Sequence, residues 1–183
     1  RQVYWHTGGA GGMLSNVCFV PEEKLGIAIL TNNDNQNFFE LLRYQILDAY
    51  LGVEYVNRSQ QQLSNHQKEM DKQVSEINNW KAQAKNQTIM SKNELEQYTG
   101  SYTNELYGNI ELKIKDNHLF IVFKTHPDLT ATLKNLGNDE WLIEYNNVLY
   151  GVYTGKFTMV ERKVKSLSIR INEFVEIDAY EFM

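Results

Sequence analysis

Residues Trp5 to Gly12 read Trp-His-Thr-Gly-Gly-Ala-Gly-Gly, with four glycines in the seven positions after the tryptophan. At that density no Cβ keeps the backbone from close approach to another strand or to a bound molecule. His6 and Thr7 stand directly before the glycines and bring an imidazole and a hydroxyl, groups that donate, accept or hold a proton. The plainer reading is a glycine-rich turn between two strands with an ordinary histidine before it, and spacing alone favours that reading.

Other reactive residue types are scattered. His66, His118 and His126 have no second ligand at metal spacing, so no zinc site is expected, and no cofactor is expected either. Asp34, among Asn32, Asn33 and Asn35, has the chemistry to coordinate a cation, but a helix-capping loop fits the run better. The single cysteine, Cys18, sits in an apolar strand pattern, reads as a small core residue and says nothing about redox compartment. Asn57-Arg58-Ser59 and Asn86-Gln87-Thr88 spell glycosylation acceptors, which carry weight only in a secreted eukaryotic protein.

Elements must hold these residues in place. Gln2 to Thr7 and Met13 to Val20 read as strands, with Pro21 to Lys24 as a turn. Leu25 to Leu30 is an apolar run broken only by Gly26, which predicts a strand buried on both faces. Phe38 to Leu51 has helical spacing, with Phe38, Leu41, Leu42, Gln45 and Ala49 along one side, Phe39, Ile46 and Tyr50 nearby, and Gly52 as C-cap. From Asn57 to Gln87 the chain is rich in Gln, Asn, Lys and Glu, without glycine or proline. Leu63, Met70, Ile77 and Ala84 recur every seven residues there, which predicts an amphipathic helix with a narrow apolar stripe. It is either a linker helix lying on a neighbouring domain or a coiled-coil seam; Gln67 and Lys81 at seam positions favour the linker.

Beyond Met90 the pattern changes to sheet. Ser91 and Glu94 make a capping box for one helical turn. Ile110, Leu112 and Ile114 alternate with Glu111, Lys113 and Lys115, and Asp116-Asn117 predicts a hairpin. Leu119 to Phe123, Leu129 to Leu133, Trp141 to Tyr145, Val148 to Tyr153, Phe157 to Glu161, Leu167 to Ile171 and Val175 to Tyr180 follow at short intervals. About eight short strands without intervening helices predict an antiparallel barrel or sandwich. The expected class is therefore α+β, with units at residues 1–52, 53–90 and 91–183.

Composition sets the limits. The chain has 183 residues, 42% hydrophobic and 22% charged, enough to bury a core. A formal net charge of −5 argues against nucleic acid or an anionic membrane as the main partner. No apolar run reaches the ~18 residues of a membrane helix. The chain opens on Arg1, inside a strand pattern, and so reads as a fragment in which a missing signal sequence means nothing.

The run from Val3 to Leu51 resembles the C-terminal end of serine β-lactamase-like, penicillin-binding-protein-like hydrolases. In that family a strand bearing Lys-Thr-Gly or His-x-Gly forms one wall of the active site, and His6-Thr7-Gly8 matches it. The resemblance implies that His6 supports the catalytic tyrosine or a substrate carboxylate, that Thr7 and Gly8 line the substrate, and that the Gly9 N–H helps bind the carbonyl oxygen. Histidine in place of lysine leans towards an esterase- or peptidase-like parent rather than strict β-lactam specificity. The family attacks amides or esters through a serine in Ser-x-x-Lys, aided by a Tyr-x-Asn motif. No serine here has a lysine three residues later. Tyr55-Val56-Asn57, Tyr102-Thr103-Asn104 and Tyr145-Asn146-Asn147 all follow His6, whereas the family places its motif before the third, so they are chance spellings. The nucleophile is expected on a part of the parent not included here, and this chain alone is expected to be inactive.

Residues 91–183 resemble a small lipocalin-like β-domain often appended to such hydrolases, on the strength of Tyr98-Thr99-Gly100-Ser101-Tyr102, the hairpin at Asp116-Asn117 and the closing Tyr180-Glu181-Phe182. The resemblance implies a bacterial, periplasmic or extracytoplasmic protein. Its partners would be the N-terminal hydrolase subdomain and, in the parent, a small peptide, β-lactam or ester substrate. A non-enzymatic alternative is a binding module whose barrel holds an apolar or peptidic ligand; an interior filled by Phe120, Phe123, Trp141, Tyr145 and Phe157 would disfavour it. Three strands and one helix cannot bury their own apolar surface, so self-association through the N-terminal segment is also expected.

Overall fold

The computed structural model describes residues 1–33, 36–172 and 176–183. The chain is α+β and divides within a long helix into two compact units, Arg1–Gln73 and Val74–Met183.

The first unit starts with three antiparallel strands in the order β1 (Tyr4–Ala10), β2 (Met13–Val20) and β3 (Leu25–Thr31). The glycine run does not form a loop. Strand β1 continues through Gly8 and Gly9, and only Gly11-Gly12 turns the chain, with Gly12 at φ 82°. The reason lies across the ladder: Gly8 pairs with Ser15, and a Cβ on Gly8 would sit 2.9 Å from the serine Oγ.

Helix α1 (Phe38–Tyr50) covers one face of this sheet. Leu14, Ile29 and Phe39 are buried together, and Cys18, Val20 and Leu47 form a second cluster. The helix ends as Gly52 turns left-handed at φ 68° and the Val53 N–H donates to the Asp48 carbonyl at 2.9 Å, a Schellman-type stop. Two expectations are corrected here. Strand β3 is covered on one face only: Ile29 is buried, whereas Leu30, on the opposite face, is 83% exposed. The fully buried line of α1 is Phe39, Arg43 and Leu47; Leu42 and Ile46 pack against the sheet in part, whereas Phe38, expected on the inner side, is half-exposed. The physical cause is Arg43, whose planar guanidinium packs flat on aromatic rings and so occupies an inward position that a charged residue normally avoids.

Helix α2 (Arg58–Asn86) spans the predicted stretch and has no buried residue. Its first turn is held by the Asn57 Oδ1, which accepts from the Gln60 N–H at 3.0 Å, and by Arg58 on Asp48 at 2.7 Å.

The second unit holds the end of α2, a short helix α3 (Lys92–Glu96) and eight antiparallel strands: β4 (Gly100–Asn104), β5 (Gly108–Lys115), β6 (His118–Phe123), β7 (Thr130–Gly137), β8 (Glu140–Tyr145), β9 (Val152–Val160), β10 (Lys163–Ile169) and β11 (Tyr180–Phe182). They pair in strict sequence order. The two ends nearly meet, because Thr103 and Met183 exchange backbone hydrogen bonds of 2.7 and 2.9 Å, and the Asn104 amide donates to the Glu181 carbonyl. The sheet is thus a nearly closed barrel. The Ser91–Glu94 capping box is present, with the Ser91 N–H donating to the Glu94 carboxylate at 2.7 Å.

Side chains fill the barrel. Ile110, Leu119, Ile121, Leu133, Trp141, Ile143, Phe157 and Leu167 are all buried in one core cluster. Phe123 and Tyr145 also point inward, whereas Phe120 lies on the outer face with Lys115 over its ring. Gly155 marks the tightest crossing: a Cβ there would lie 2.5 Å from Ile143 and 2.8 Å from the Ser168 carbonyl. The expected strands 148–153 and 157–161 are corrected to one strand, β9, that starts at Val152 and runs through this glycine, while 148–151 form a turn closed by the Gly151 N–H on the Val148 carbonyl at 3.2 Å. The expected strand from Val175 falls partly outside the described residues.

Candidate functional site

Strand β1 is an edge of its sheet, so alternate backbone N–H and C=O groups between Tyr4 and Ala10 point away from β2. Cross-strand partners share a face. His6 therefore lies with Val17 and Ala28 on the face that α1 leaves open, and Thr7 lies with Asn16 and Ile29 on the helix-covered face. The imidazole and the hydroxyl thus project from opposite sides of one strand. Gly8 and Gly9 are exposed between them and the turn. A molecule lying along this edge meets His6 from one side, Thr7 from the other, and glycine backbone where side chains would otherwise block its approach. Ser15 braces the triplet from within by donating its hydroxyl to the Gly8 carbonyl at 3.3 Å.

Behind this edge lies a polar group that the sequence reading passed over. Asn16 is fully buried, and neither its Oδ1 nor its Nδ2 has a hydrogen-bond partner among the described residues. Arg43 is 1% exposed; its Nε and Nη1 make no hydrogen bond among the described residues, and Glu40 stands 3.9 Å from Nη1. The guanidinium lies 4.0 Å from the Trp5 ring and 4.5 Å from Tyr44. Burial pushes the Cys18 thiol up, with Arg43 pulling the other way. A signal for Asn16 was present: Leu14, Asn16, Cys18 and Val20 occupy the inward slots of a period-two pattern, and one of the four is polar.

The chance Tyr-x-Asn spellings have structural roles where they fall in the barrel. The buried Tyr102 hydroxyl donates to the Tyr98 carbonyl at 2.8 Å, and the Tyr145 hydroxyl donates to the Arg170 carbonyl at 3.1 Å. His66 is on α2 and His118 on β6, while His126 lies in the β6–β7 connection. Among the described residues no three His, Cys, Asp or Glu side chains cluster as a metal site would require. The suggested cation ligand Asp34 lies outside the described residues. No helix is long and apolar enough to cross a membrane, which leaves strands untested.

The fold and these sites define an α+β chain whose larger unit is a nearly closed antiparallel barrel with a filled interior. Residues 84–182, more than half of the chain, match the family described as a domain of unknown function, DUF3471, and the chain belongs to that family. No curated protein matches it. Among solved structures it is similar to SurE at 16% identity and a TM-score of 0.36, over 90% of this chain and 32% of that one. It is also similar to the octameric penicillin-binding protein homologue from Pyrococcus abyssi at 14% identity and a TM-score of 0.32, over 98% of this chain and 33% of that one. The chain spans about a third of the length of each.

Proposed function

We propose that this chain is the C-terminal part of a serine β-lactamase-like hydrolase that cleaves amides or esters through an acyl-enzyme. In this reading the first unit supplies one wall of the active site and the DUF3471 unit is an accessory domain. The observation that carries the reading is the placement of His6-Thr7-Gly8 on an edge strand, with Gly9 exposed next to it and the sheet backed by α1. An edge is where a substrate can add along the strand and where a backbone N–H remains open to a developing oxyanion. His6 then orients the catalytic tyrosine or a substrate carboxylate, and Thr7 holds the substrate from the other side. The serine and its lysine base come from the hydrolase subdomain of the longer parent, which also covers the open face of the sheet, in an extracytoplasmic compartment.

The test is hydrolysis of nitrocefin and p-nitrophenyl esters. The 183-residue chain is expected to turn over neither. The longer parent is expected to hydrolyse at least one, with His6→Ala lowering kcat/KM by roughly 100-fold, the scale of a lost transition-state donor. A parent in which His6→Ala and Thr7→Ala are both silent would defeat the assignment, as would appreciable single-site turnover by the short chain.

A further inference from the structure

A cavity of about 490 Å³ opens on the outside of the barrel unit, between the last turns of α2, the connector that leads to α3, and the outer surface of β6, β7 and β8. Its volume is that of a small-molecule site. Its wall is divided by chemistry. Met90, Leu95 and Leu142 give an apolar side, and the last two are buried. Lys81, Lys85 and Lys134 bring three positive charges against a single carboxylate, Glu144. Glu144 is already engaged by Lys134 and stands 3.9 Å from Lys81. Lys85 has no ion-pair partner among the described residues, so positive charge remains in excess at this wall. Trp141, a residue of the barrel core that is 1% exposed, also lines the cavity, so its indole N–H signal reports on the site. An anion is the ligand that a lysine-rich wall with unpaired charge favours.

The wall is fixed rather than incidental. Gln83 and Gln87 of α2 and its end both donate to the Leu136 carbonyl, at 2.8 and 3.0 Å, which anchors the helix beside the cavity. The Ser91–Glu94 capping box sets the start of α3 on the other side.

We propose that this cavity binds a small amphiphilic anion, a carboxylate or phosphate head on an apolar tail. The head is held at the lysine wall, with Lys85 as its free cation, and the tail lies against Met90. The site belongs wholly to the second unit and does not depend on hydrolysis. It also differs from a ligand inside the barrel, where packed side chains already occupy the space.

The test uses the full 183-residue chain labelled with ¹⁵N, with the indole N–H signals assigned by Trp→Phe variants. Octanoate and octyl phosphate are titrated separately, with octanol and inorganic phosphate as controls for tail and head. At least one amphiphilic anion is expected to shift the Trp141 signal saturably and leave Trp5 unmoved; which one is preferred distinguishes a carboxylate from a phosphate head. Lys85→Glu, an exposed helix position, should weaken binding about tenfold, and Ala84→Phe should block the cavity. Octanol and inorganic phosphate should each bind about tenfold more weakly than the amphiphile. Absence of a saturable shift with both anions overturns the proposal, as does equal binding of octanol. An unchanged affinity in Lys85→Glu overturns it as well, and that variant decides alone if Ala84→Phe fails to fold.

Discussion

The guanidinium carbon of Arg43 lies 4.0 Å from the ring of Trp5, which joins the buried face of α1 to the edge strand that carries His6. Trp5 and Thr7 are on the same face of β1, so whatever fixes Trp5 also fixes the backbone of the triplet. The contact should therefore be measurable as coupling between helix and strand. Trp5→Ala and Arg43→Met, combined in a double-mutant cycle with urea unfolding, are expected to show a coupling of about 1 kcal/mol, within the range for a desolvated cation over an aromatic ring. Arg43→Met alone should cost less than Trp5→Ala, because replacing a buried charge by an apolar side chain of similar length is often nearly neutral. Strict additivity of the two variants would show that the contact is not energetic.

Gly155 gives a contrast with Gly26. Both are strand glycines, but a Cβ at 155 meets Ile143 at 2.5 Å and the Ser168 main chain at 2.8 Å, whereas one at 26 meets nothing within 4 Å. Gly155→Ala should therefore destabilise the barrel by about 1–3 kcal/mol, as overpacking does, and Gly26→Ala should stay within about 0.5 kcal/mol of the parent. Urea midpoints for both variants check this, and similar midpoints would refute the close crossing of β8, β9 and β10.

Much of the barrel was legible in the chain because its turns are spelled in residues that tolerate a left-handed backbone. Asp116-Asn117 adopts φ of 50° and 59° and turns consecutive strands where the sequence suggested, and Asn138-Asp139, at 54° and 61°, turns the next pair but one with the same residue types. The β9–β10 hairpin was not marked, because its turn residues are Glu161 and Arg162, at φ 49° and 64°, and neither residue type announces a turn. The inward place of Arg43 was not legible for a related reason: a charged residue reads as outward until its stacking partners are seen. His6, Thr7 and Gly8 are adjacent in the sequence, but the opposite orientation of His6 and Thr7 follows only from a strand that continues through the glycines.

The same hairpin offers a gain. Two residues without a stabilising side-chain habit for φ above zero carry strain at Glu161-Arg162, so Asn-Gly at these positions should raise stability by about 1 kcal/mol. A change of Asp116-Asn117 to the same pair should give less, since both residues already tolerate that region. Thermal unfolding of both variants reads the difference, and a lowered midpoint for the 161–162 variant would contradict it.

Alkali should act on the barrel through two tyrosines. Burial pushes the hydroxyls of Tyr98 and Tyr102 up to about 12, and for Tyr98 the nearby Asp139 carboxylate adds to the effect. A folded-state value above the ordinary value of about 10 means that the folded state holds the proton more tightly. Their contribution to stability is complete below pH ~10 and is lost as pH rises towards 12. Urea unfolding across that window should show falling stability, and Tyr102→Phe should flatten part of the fall. A slope unchanged in that variant would rule out Tyr102 as a contributor.

The open face of the first unit has the strongest expected consequence for the isolated chain. Tyr4 stacks on Phe19 there, with ring centroids 5.1 Å apart, yet both are half-exposed. Met13 and Val17 are each 54% exposed and Leu30 is 83% exposed on the same face. Helix α1 covers only the opposite face, and the β1 edge adds unpaired backbone groups beside the open one. Contiguous apolar surface next to an open strand edge recruits another chain. In a solution of this chain the nearest supply is a second copy, and a self-complementary patch closes most simply as a two-fold dimer. Light scattering at micromolar concentration should therefore report a dimer. Val17→Glu, which places a charge at the centre of the open face, should return it to a monomer, whereas Ile77→Glu on α2 should leave it dimeric. A monomeric parent chain would count against the argument; dissociation by Ile77→Glu rather than Val17→Glu would move the interface to the helical stripe of Leu63, Met70 and Ile77.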